Sequence, residues 1–371
     1  MATLCLANLA KLANEGELIR FDHFMNLALY HPEWGYYSAE PTQIGRSGDF
    51  FTSVSTGGMF GKLIAHHIAQ WHAKNAIVGS WRILEPGPNN GQLARDIVQT
   101  LKNDFPTIIE SLQYITIDPL PVPLAWQRHN LAELAPTVQC LESLKNLIPL
   151  PSFLIANEIL DALPCRLFER KNSIWHEIYV KYDNTVLREE LIPLNAENTP
   201  PILIHSDLPA DYRTEYRDNW HRLLDPLLHC ISYGSLLWID YGFAAPEYYH
   251  PARTKGTLRT YDKHQAGDNP LEKVGECDIT AHVDFTSFAA YAAQKNCSIQ
   301  NFEPQEFFLT RVASTLPIEP SMTPAEIRQL QTLIHPAQMG ARFHVLELNY
   351  PHANNHNARA LTRLAMDDSP L

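Results

Sequence analysis

The chain has 371 residues, 45% of them hydrophobic and 19% charged, and is long enough for one large domain or two ordinary domains with hydrophobic cores. Its formal net charge of −12 argues against a nucleic-acid backbone as a partner. The six cysteines include no C-x-x-C pair, which argues against a zinc site and is typical of reduced thiols in a cytosolic protein. We therefore expect a cytoplasmic protein without a resident metal ion, which binds a basic protein, a peptide or a small molecule.

The first half of the chain leads from helices into strands. Residues 1–75 are predicted to form an N-terminal helical region, and their start lacks the basic and apolar segments of a secretion signal. Residues 76–164 contain three apolar runs of strand length separated by helical patterns, which predicts the first part of an α/β domain. No apolar run reaches the roughly 18 residues that a membrane span requires.

The second half changes its pattern twice. Residues 165–231 alternate between polar and apolar as far as about Leu194, with a turn at Asp183-Asn184, and then show a helical pattern from Trp220 to Leu228, which together predicts an inserted subdomain facing the substrate. Residues 232–350 return to the α/β domain, and residues 351–371 form a polar tail. The expected fold is an α/β protein with a Rossmann-like parallel sheet, an N-terminal helical region and an inserted antiparallel and helical subdomain.

One segment joins a strand to a helix through a turn rich in glycine, proline and asparagine. The apolar run Trp81–Glu85 precedes this turn, and Gly87 and Gly91 within it allow backbone conformations that other residues rarely adopt. Such a turn forms the nucleotide pocket in open parallel sheets. It contains no Lys or Arg to bind a pyrophosphate, and Glu85 can accept hydrogen bonds, which favours S-adenosylmethionine as the cofactor. Considered alone, the motif is equally compatible with a turn that binds nothing.

Three further apolar runs end in, or lead directly into, acidic residues. These ends lie at Asp118, at Asn157-Glu158 and at Asp240. Because a parallel sheet binds its ligand beyond the carboxyl ends of its strands, we expect these acids to share one crevice with Glu85. Asp118 would hold the ribose hydroxyls of the cofactor. The alternative for any single acid is that it caps the following helix.

A set of short motifs extends over nearly the whole chain. They are Leu29-Tyr30-x-Pro32-x-x-Gly35-Tyr36-Tyr37, Gly48-Asp49-Phe50-x-Thr52-Ser53, Glu85-x-Gly87-Pro88-x-x-Gly91-x-Leu93, Asn157-Glu158-x-x-Asp161-Ala162-Leu163-Pro164, Ile239-Asp240-Tyr241-Gly242, Gly256-Thr257-Leu258-Arg259, Gly275-Glu276-x-Asp278-Ile279-Thr280-Ala281-His282-Val283-Asp284-Phe285 and Met339-Gly340. With these motifs the chain resembles the MidA-like family of class I S-adenosylmethionine-dependent methyltransferases. Mitochondrial members of that family are complex I assembly factors that symmetrically dimethylate an arginine of a complex I subunit.

The resemblance implies a set of cofactor-binding residues. These are Gly48, Asp49 and Thr52 from a segment that could close over the cofactor, Glu85, Gly87, Pro88, Asn89 and Gly91 from the glycine turn, and Asp118 and Asn157 from two other strand ends. The chain departs from the family pattern at Asn89, where glycine is usual, and at Val54-Ser55, where Pro-Glu is usual. Asp118 also stands where the family usually has Glu.

The resemblance also implies an arginine-containing protein as the substrate. A guanidinium stays protonated at neutral pH (pKa above about 12) and is a poor nucleophile. A carboxylate that pairs with two of its nitrogens can orient the third toward the methyl group. We assign this role to Glu158, assisted by Asp161 or Asp240; the alternative for Glu158 is an acid at a helix N-terminus.

Two other functions remain compatible with the sequence. The first is an assembly or binding factor that keeps the methyltransferase fold but has no catalytic activity. The departures from the family pattern at Asn89 and after Ser53 suggest this function. The second is a methyltransferase that acts on a small molecule. A homo-oligomer is compatible with all three functions.

Overall fold

The computed structural model describes residues 18–38, 52–183, 186–204, 207–262, 265–316, 322–351 and 357–366. The chain divides into two compact units. We call the unit of Met1–Phe50, Leu160–Trp220 and Phe243–Ser287 the antiparallel unit, and the unit of Phe51–Ile159, His221–Gly242 and Phe288–Leu371 the parallel unit.

The described strands and helices are numbered in chain order. The strands are β1 (Leu18–Arg20), β2 (Trp81–Pro86), β3 (Leu112–Ile117), β4 (Val138–Leu141), β5 (Leu150–Asn157), β6 (Arg166–Lys171), β7 (Ile174–Asp183), β8 (Val186–Pro193), β9 (Tyr212–Tyr216), β10 (Ile231–Phe243), β11 (Arg259–Asp262), β12 (Gln265–Gly267), β13 (Asp278–Thr280), β14 (Val283–Asp284), β15 (Ser298–Pro304) and β16 (Phe343–Tyr350). The helices are α1 (Phe21–Tyr30), α2 (Met59–Lys74), α3 (Gln92–Asp104), α4 (Pro106–Ile109), α5 (Pro121–Asn130), α6 (Pro201–Ile204), α7 (His221–Leu228), α8 (Ala245–Tyr248), α9 (Phe285–Gln294), α10 (Gln305–Ala313), α11 (Pro324–Ile334) and α12 (Ala358–Leu364).

The sheet of the parallel unit follows the strand order β15-β16-β10-β5-β2-β3-β4. From β4 to β10 neighbouring strands are parallel, and β16 runs antiparallel to both β10 and β15. The chain passes from β2 outward to β3 and β4 and then returns to the other side of β2 as β5. A parallel sheet binds ligands where its strand order reverses, which here is between β2 and β5. The predicted Rossmann-like α/β fold is confirmed.

Helix α3 shows how the sequence pattern produces this arrangement. Its buried side chains recur at helical spacing, so that they form one face, and they are Leu93, Ala94, Ile97, Val98 and Leu101. They belong to the same hydrophobic core as Ile83 and Tyr114 of the sheet. This packing fixes the N-terminal end of α3 directly after the glycine turn.

The antiparallel unit contains the alternating strands predicted for the insertion. Its main sheet has the order β1-β7-β6-β9, with β8 on β7, and β11 pairs with β12 and β13 in a smaller sheet. β7 and β8 pair antiparallel as far as Asp183 and Val186, as a hairpin requires. The turn predicted at Asp183-Asn184 includes Asn184, which lies outside the described residues.

The unit boundaries differ from the sequence-based domain boundaries. The predicted region 1–75 is shared between the units, because β1 pairs with β7 and Phe24 of α1 lies in a core with Ile178, whereas Leu63 of α2 lies in the core of the parallel sheet. Residues 221–231, placed in the insertion above, belong to the parallel unit. In the predicted polar tail, α12 buries Leu364 completely. Among the described helices, none is long and apolar enough to cross a membrane.

Candidate cofactor site and active site

The turn between β2 and α3 has the backbone conformation that its glycines suggested. Gly87, Asn89 and Gly91 have φ angles of 62°, 52° and 82°. Asparagine tolerates this left-handed region better than most residues, so Asn89 adopts the required conformation in place of glycine. The amide of Gly91 donates to the carbonyl of Pro88 at 2.8 Å, and the amide of Gly87 donates to the carbonyl of Ile117 at 3.0 Å. The turn is therefore tied both to itself and to the end of β3.

Close packing adds to the positive φ angles as a reason why two of these positions are glycine. A Cβ atom on Gly91 would lie 2.7 Å from Cδ1 of Leu131, and a Cβ atom on Gly87 would lie 3.0 Å from Cδ1 of Ile159. Ile159 follows β5, so Gly87 lies next to the residue after Glu158, on the side of the sheet where the strand order reverses. The turn thus brings the backbone close to the end of β5.

Glu85 lies inside the sheet beneath this turn. It is 3% exposed, and its Oε2 accepts a hydrogen bond of 2.7 Å from the hydroxyl of Tyr114. Burial raises the pKa of the Glu85 carboxyl to about 7, although the bond from Tyr114 acts to lower it and the charge of Asp96 adds to the rise. The hydrogen-bond donor to Glu85 is thus a neutral hydroxyl. A cation in its place would lower the pKa of Glu85 and keep the carboxyl group ionised at neutral pH.

Asp118 follows β3 on the neighbouring side of the turn. Its Oδ1 accepts from the amide of Leu120 and its Oδ2 from Nε2 of Gln127, both at 3.0 Å. Burial raises the pKa of Asp118 to about 6, and these two hydrogen bonds act to lower it. Here too the partners are neutral.

Glu158 directly follows β5 and has an unusual backbone conformation. Its φ angle is 54°, a region that costs a residue other than glycine about 1–3 kcal/mol and is often found at functional sites. Its Oε1 accepts hydrogen bonds from the amide of Ser53 at 3.1 Å and from Nδ2 of Asn157 at 2.9 Å. The oxygen of the same Asn157 side chain, Oδ1, is buried and has no hydrogen-bond partner among the described residues. A buried acceptor of this kind suits a donor from a ligand.

The segment beginning at Thr52 meets this end of β5. The amide of Thr52 donates to Oγ of Ser55 at 2.9 Å, and the amide of Ser55 donates to Oγ1 of Thr52 at 3.1 Å. Ser55 therefore closes a tight turn at a position where the MidA-like family usually has glutamate. The hydroxyl of Ser53 donates to Oε1 of Gln305 at 3.1 Å, which anchors the turn on α10. Gly48 and Asp49 lie outside the described residues.

Asp240 connects the ends of β5 and β10. It is fully buried, and its Oδ2 accepts from the amide of Ile159 at 3.0 Å while its Oδ1 accepts from the amide of Tyr241 at 2.8 Å. These bonds hold the backbone that follows Glu158. The geometry is that of a residue that positions Glu158.

Asp161 belongs to the antiparallel unit, unlike the other described candidates. Burial raises its pKa to about 6, against the opposing charge of Arg217. Arg217 is buried and donates to the backbone carbonyls of Asp161 and Leu163 at 2.8 and 3.0 Å. The segment around Asp161 is thus held by an arginine that no sequence motif indicated.

The parallel unit brings together most of the predicted site. Glu85, Gly87, Pro88, Asn89, Gly91, Asp118, Asn157, Glu158 and Asp240 all lie at or just beyond the carboxyl ends of β2, β3, β5 and β10. Sequence reasoning missed the neutral partners Tyr114, Ser53, Gln127 and Gln305. For Gln127 a signal existed, since a glutamine three residues after Leu124 places a polar group on the buried face of α5. The residues fit S-adenosylmethionine, because a close-packed glycine turn and nearby carboxylates suit a ligand with cationic groups and ribose hydroxyls.

Comparison with known proteins agrees with this geometry. Residues 63–303 match the family described as "Putative S-adenosyl-L-methionine-dependent methyltransferase". The chain belongs to this family. It is an S-adenosylmethionine-dependent methyltransferase, and the predicted cofactor is confirmed.

Two solved structures from Burkholderia thailandensis have the same fold. One, described as a "superfamily member and likely methyl transferase" bound to S-adenosyl-homocysteine, is 27% identical with a TM-score of 0.83, and the match covers 98% of this chain and 95% of that one. The other, described as an uncharacterized protein, is 25% identical with a TM-score of 0.80, and the match covers 96% of each chain.

Curated relatives include enzymes named as arginine methyltransferases. Protein arginine methyltransferase NDUFAF7, mitochondrial, of Rattus norvegicus is 25% identical over 90% of this chain and 81% of its own length. The Drosophila melanogaster homologue is 26% identical over 91% of this chain and 83% of its own. Both are named as mitochondrial, so the cytoplasmic location expected from the cysteines and the N-terminus is wrong as judged by these relatives. Reduced cysteines do not distinguish the cytosol from other reducing compartments.

Proposed function

We propose that the chain is a protein arginine N-methyltransferase that acts on a protein partner. The observation that carries the proposal is the carboxylate of Glu158, held at the reversal point of the sheet by the amide of Ser53 and the side chain of Asn157. The curated relatives named as protein arginine methyltransferases support the substrate class.

In this proposal each group at the strand ends has a distinct role. The cofactor, when bound, supplies a methyl group on a sulfonium sulfur. The glycine turn cradles it, and Asp118 accepts hydrogen bonds from its ribose hydroxyls. The carboxylate of Glu158 would pair with two nitrogens of the target guanidinium and direct the third toward the methyl group. As the N–C bond forms, the C–S bond of the sulfonium breaks to leave S-adenosyl-homocysteine, and the nitrogen releases its proton to water. Asp240 keeps the backbone after Glu158 in place.

The test is methyl transfer from isotopically labelled S-adenosylmethionine to proteins of the cell of origin, followed by mass spectrometry for methylarginine. Glu158→Gln keeps size and hydrogen bonding but removes the charge, so transfer should fall tenfold or more. Binding of S-adenosyl-homocysteine should change little. Glu142→Gln, the same change at an exposed position after β4, is the matched control and should leave both properties intact.

Four results would contradict the proposal in different ways. Undiminished transfer by Glu158→Gln would remove Glu158 from the mechanism, while loss of cofactor binding would move it to the cofactor site. Methylation of a small molecule, or no transfer at all by a wild type that binds the cofactor, would favour the corresponding alternative function.

We further propose that the antiparallel unit contacts the protein partner. Its sheet has exposed apolar side chains such as Ile174, which is 54% exposed. A photo-crosslinking residue at Ile174 should capture the methylated protein, whereas one at Val78 of the parallel unit, which is 93% exposed, should not. Equal capture at both positions would refute this assignment.

A further inference from the structure

Gln127 is a fully buried glutamine on α5, in contact with the acid that follows β3. Its Nε2 donates to Oδ2 of Asp118 at 3.0 Å, and its Oε1 accepts from the hydroxyl of Thr116 at 3.3 Å. Thr116 lies on β3, two residues before Asp118, and is also fully buried. The three side chains form a short chain of hydrogen bonds from the strand, through the helix, to the carboxylate.

The contacts fix which end of the amide faces the acid. If the amide were reversed, its oxygen would face the carboxylate of Asp118, and two acceptors would then oppose each other. The hydroxyl of Thr116 accordingly serves as the donor that occupies the amide oxygen. A buried amide between two partners has one orientation, and it holds the carboxylate in one orientation as well.

We propose that Gln127 is the residue that positions Asp118 to bind the ribose hydroxyls of S-adenosylmethionine, with Thr116 fixing the orientation of the glutamine amide. The inference rests on the proposed role of Asp118. A carboxylate that accepts from two vicinal hydroxyls must present its remaining lone pairs in a defined direction. The amide of Leu120 occupies one lone pair of Oδ1 of Asp118, and Nε2 of Gln127 occupies one lone pair of Oδ2.

A neutral amide suits this role better than a cation would. A lysine or arginine at position 127 would form a charged pair with Asp118 and would compete with the ribose hydroxyls for the carboxylate. The glutamine orients the acid and leaves its charge available to the ligand. It also opposes the effect of burial on the pKa of Asp118.

The test measures the affinity of the whole chain for S-adenosyl-homocysteine by calorimetry. Gln127→Met keeps the length of the side chain but removes both hydrogen bonds, and we expect about tenfold weaker binding. Thr116→Val keeps the shape of the strand residue but removes the hydroxyl, and we expect about threefold weaker binding. An analogue of S-adenosyl-homocysteine that lacks both ribose hydroxyls should bind wild type and Gln127→Met equally.

The pH profile of binding gives a second readout that loss of packing alone would not produce. Binding by wild type should weaken as the pH falls through about 6, where Asp118 gains a proton. Removing the donor Nε2 should raise the pKa of Asp118, so in Gln127→Met the loss should begin at higher pH. Glu85 on β2 also titrates in this range, with a pKa of about 7, while burial raises the pKa of Cys140 on β4 above its ordinary value of 9.0. Asp118→Asn therefore serves as the control, and it should abolish the Gln127-dependent shift.

The outcomes separate this inference from the function on which it rests. The positioning role is supported if wild type binds S-adenosyl-homocysteine more tightly than the analogue without ribose hydroxyls, if Gln127→Met loses this difference, and if its pH profile of binding shifts to higher pH. Wild-type affinity and an unshifted profile in both variants would overturn the inference alone. Equal weakening for both ligands would show a structural role and would overturn it too. Equal affinity of Asp118→Asn and wild type for S-adenosyl-homocysteine would overturn the role of Asp118 and the inference together.

Discussion

Two acids of the antiparallel unit and two acids at the strand ends of the parallel unit have different kinds of hydrogen-bond partner. In the antiparallel unit, Arg166 donates to both carboxylate oxygens of Glu177 at 2.7 and 2.9 Å, and Arg20 donates to Asp22. At the strand ends of the parallel sheet, Glu85 and Asp118 have the neutral partners Tyr114 and Gln127. These arginine pairs hold neighbouring elements of the antiparallel unit together, whereas the neutral partners of Glu85 and Asp118 leave the two carboxyl groups free to respond to a ligand.

The largest expected effect concerns the neutral strand-end site. Gly87→Val combines a β-branched side chain with a φ of 62° and a Cβ atom 3.0 Å from Ile159. We expect at least a thousandfold loss of affinity for S-adenosyl-homocysteine, about 4 kcal/mol, measured by calorimetry. Gly79→Val is the matched control, since Gly79 has a φ of 80° but nothing within 4 Å of its Cβ position. Loss of binding in both variants would show that backbone strain, not the space at Gly87, is decisive.

The parallel site was predictable because its chemistry follows the chain locally. Glu85, Gly87 and Gly91 lie within seven consecutive residues, and each acid lies at or just beyond the end of an apolar run that reveals a strand. The parallel order of β2, β3, β5 and β10 then brings these separate ends to one edge. What could not be predicted is the set of neutral partners. Gln305 reaches Ser53 from a distant helix, and no local pattern records that contact.

The antiparallel unit was less predictable for a physical reason. Both units are assembled from three stretches of chain, but in the antiparallel unit the β1–β7 pairing joins strands that are far apart in the sequence and that no motif links. Alternation revealed the β7–β8 hairpin, whose contacts are local. Arg217 gave no signal, because a buried arginine bound to backbone carbonyls needs no acidic partner in the sequence.

The second prediction tests whether arginine holds the antiparallel unit. Arg217 donates at 2.8–3.0 Å to the carbonyls of Asp161, Leu163, Ala281 and His282. Arg217→Met removes the guanidinium donor from all four carbonyls, of which that of Asp161 keeps the amide of Ala281, and should lower the free energy of unfolding by about 3–5 kcal/mol, measured by chemical denaturation. Affinity for S-adenosyl-homocysteine should stay within about threefold. Arg188→Met, at a side chain that is 68% exposed, is the control, and an effect of equal size there would contradict the argument.

The third prediction uses the raised pKa of Glu85. Between its ordinary value of 4.5 and about 7, the folded state holds a proton that the unfolded state has released. Ionisation of Glu85 therefore opposes folding. The stability that the bound proton contributes is lost as the pH rises from about 5 to 8. Glu85→Gln should gain stability relative to wild type over this range, by up to about 3 kcal/mol, because each pKa unit corresponds to about 1.4 kcal/mol. Denaturation at pH 5 and pH 8 without cofactor measures this, and a constant difference would count against a raised pKa.

The prediction with the smallest expected effect concerns Asp22 of the antiparallel unit, whose pKa is lowered whereas that of Glu85 is raised. Burial acts to raise the pKa of Asp22, but the hydrogen bonds and charge of Arg20 outweigh it and hold the pKa below its ordinary value of 3.8. The stabilisation is therefore present above about pH 4 and is lost as the pH falls through the lowered pKa. Because Arg20 is 44% exposed, solvent screens the pair, and Asp22→Asn should cost less than about 1 kcal/mol at pH 7. The difference from wild type should shrink as the pH falls below the ordinary pKa of 3.8. A cost that grows on acidification would mean that Asp22, like Glu85, has a raised pKa, and the contrast between arginine-paired and neutrally held acids would then fail.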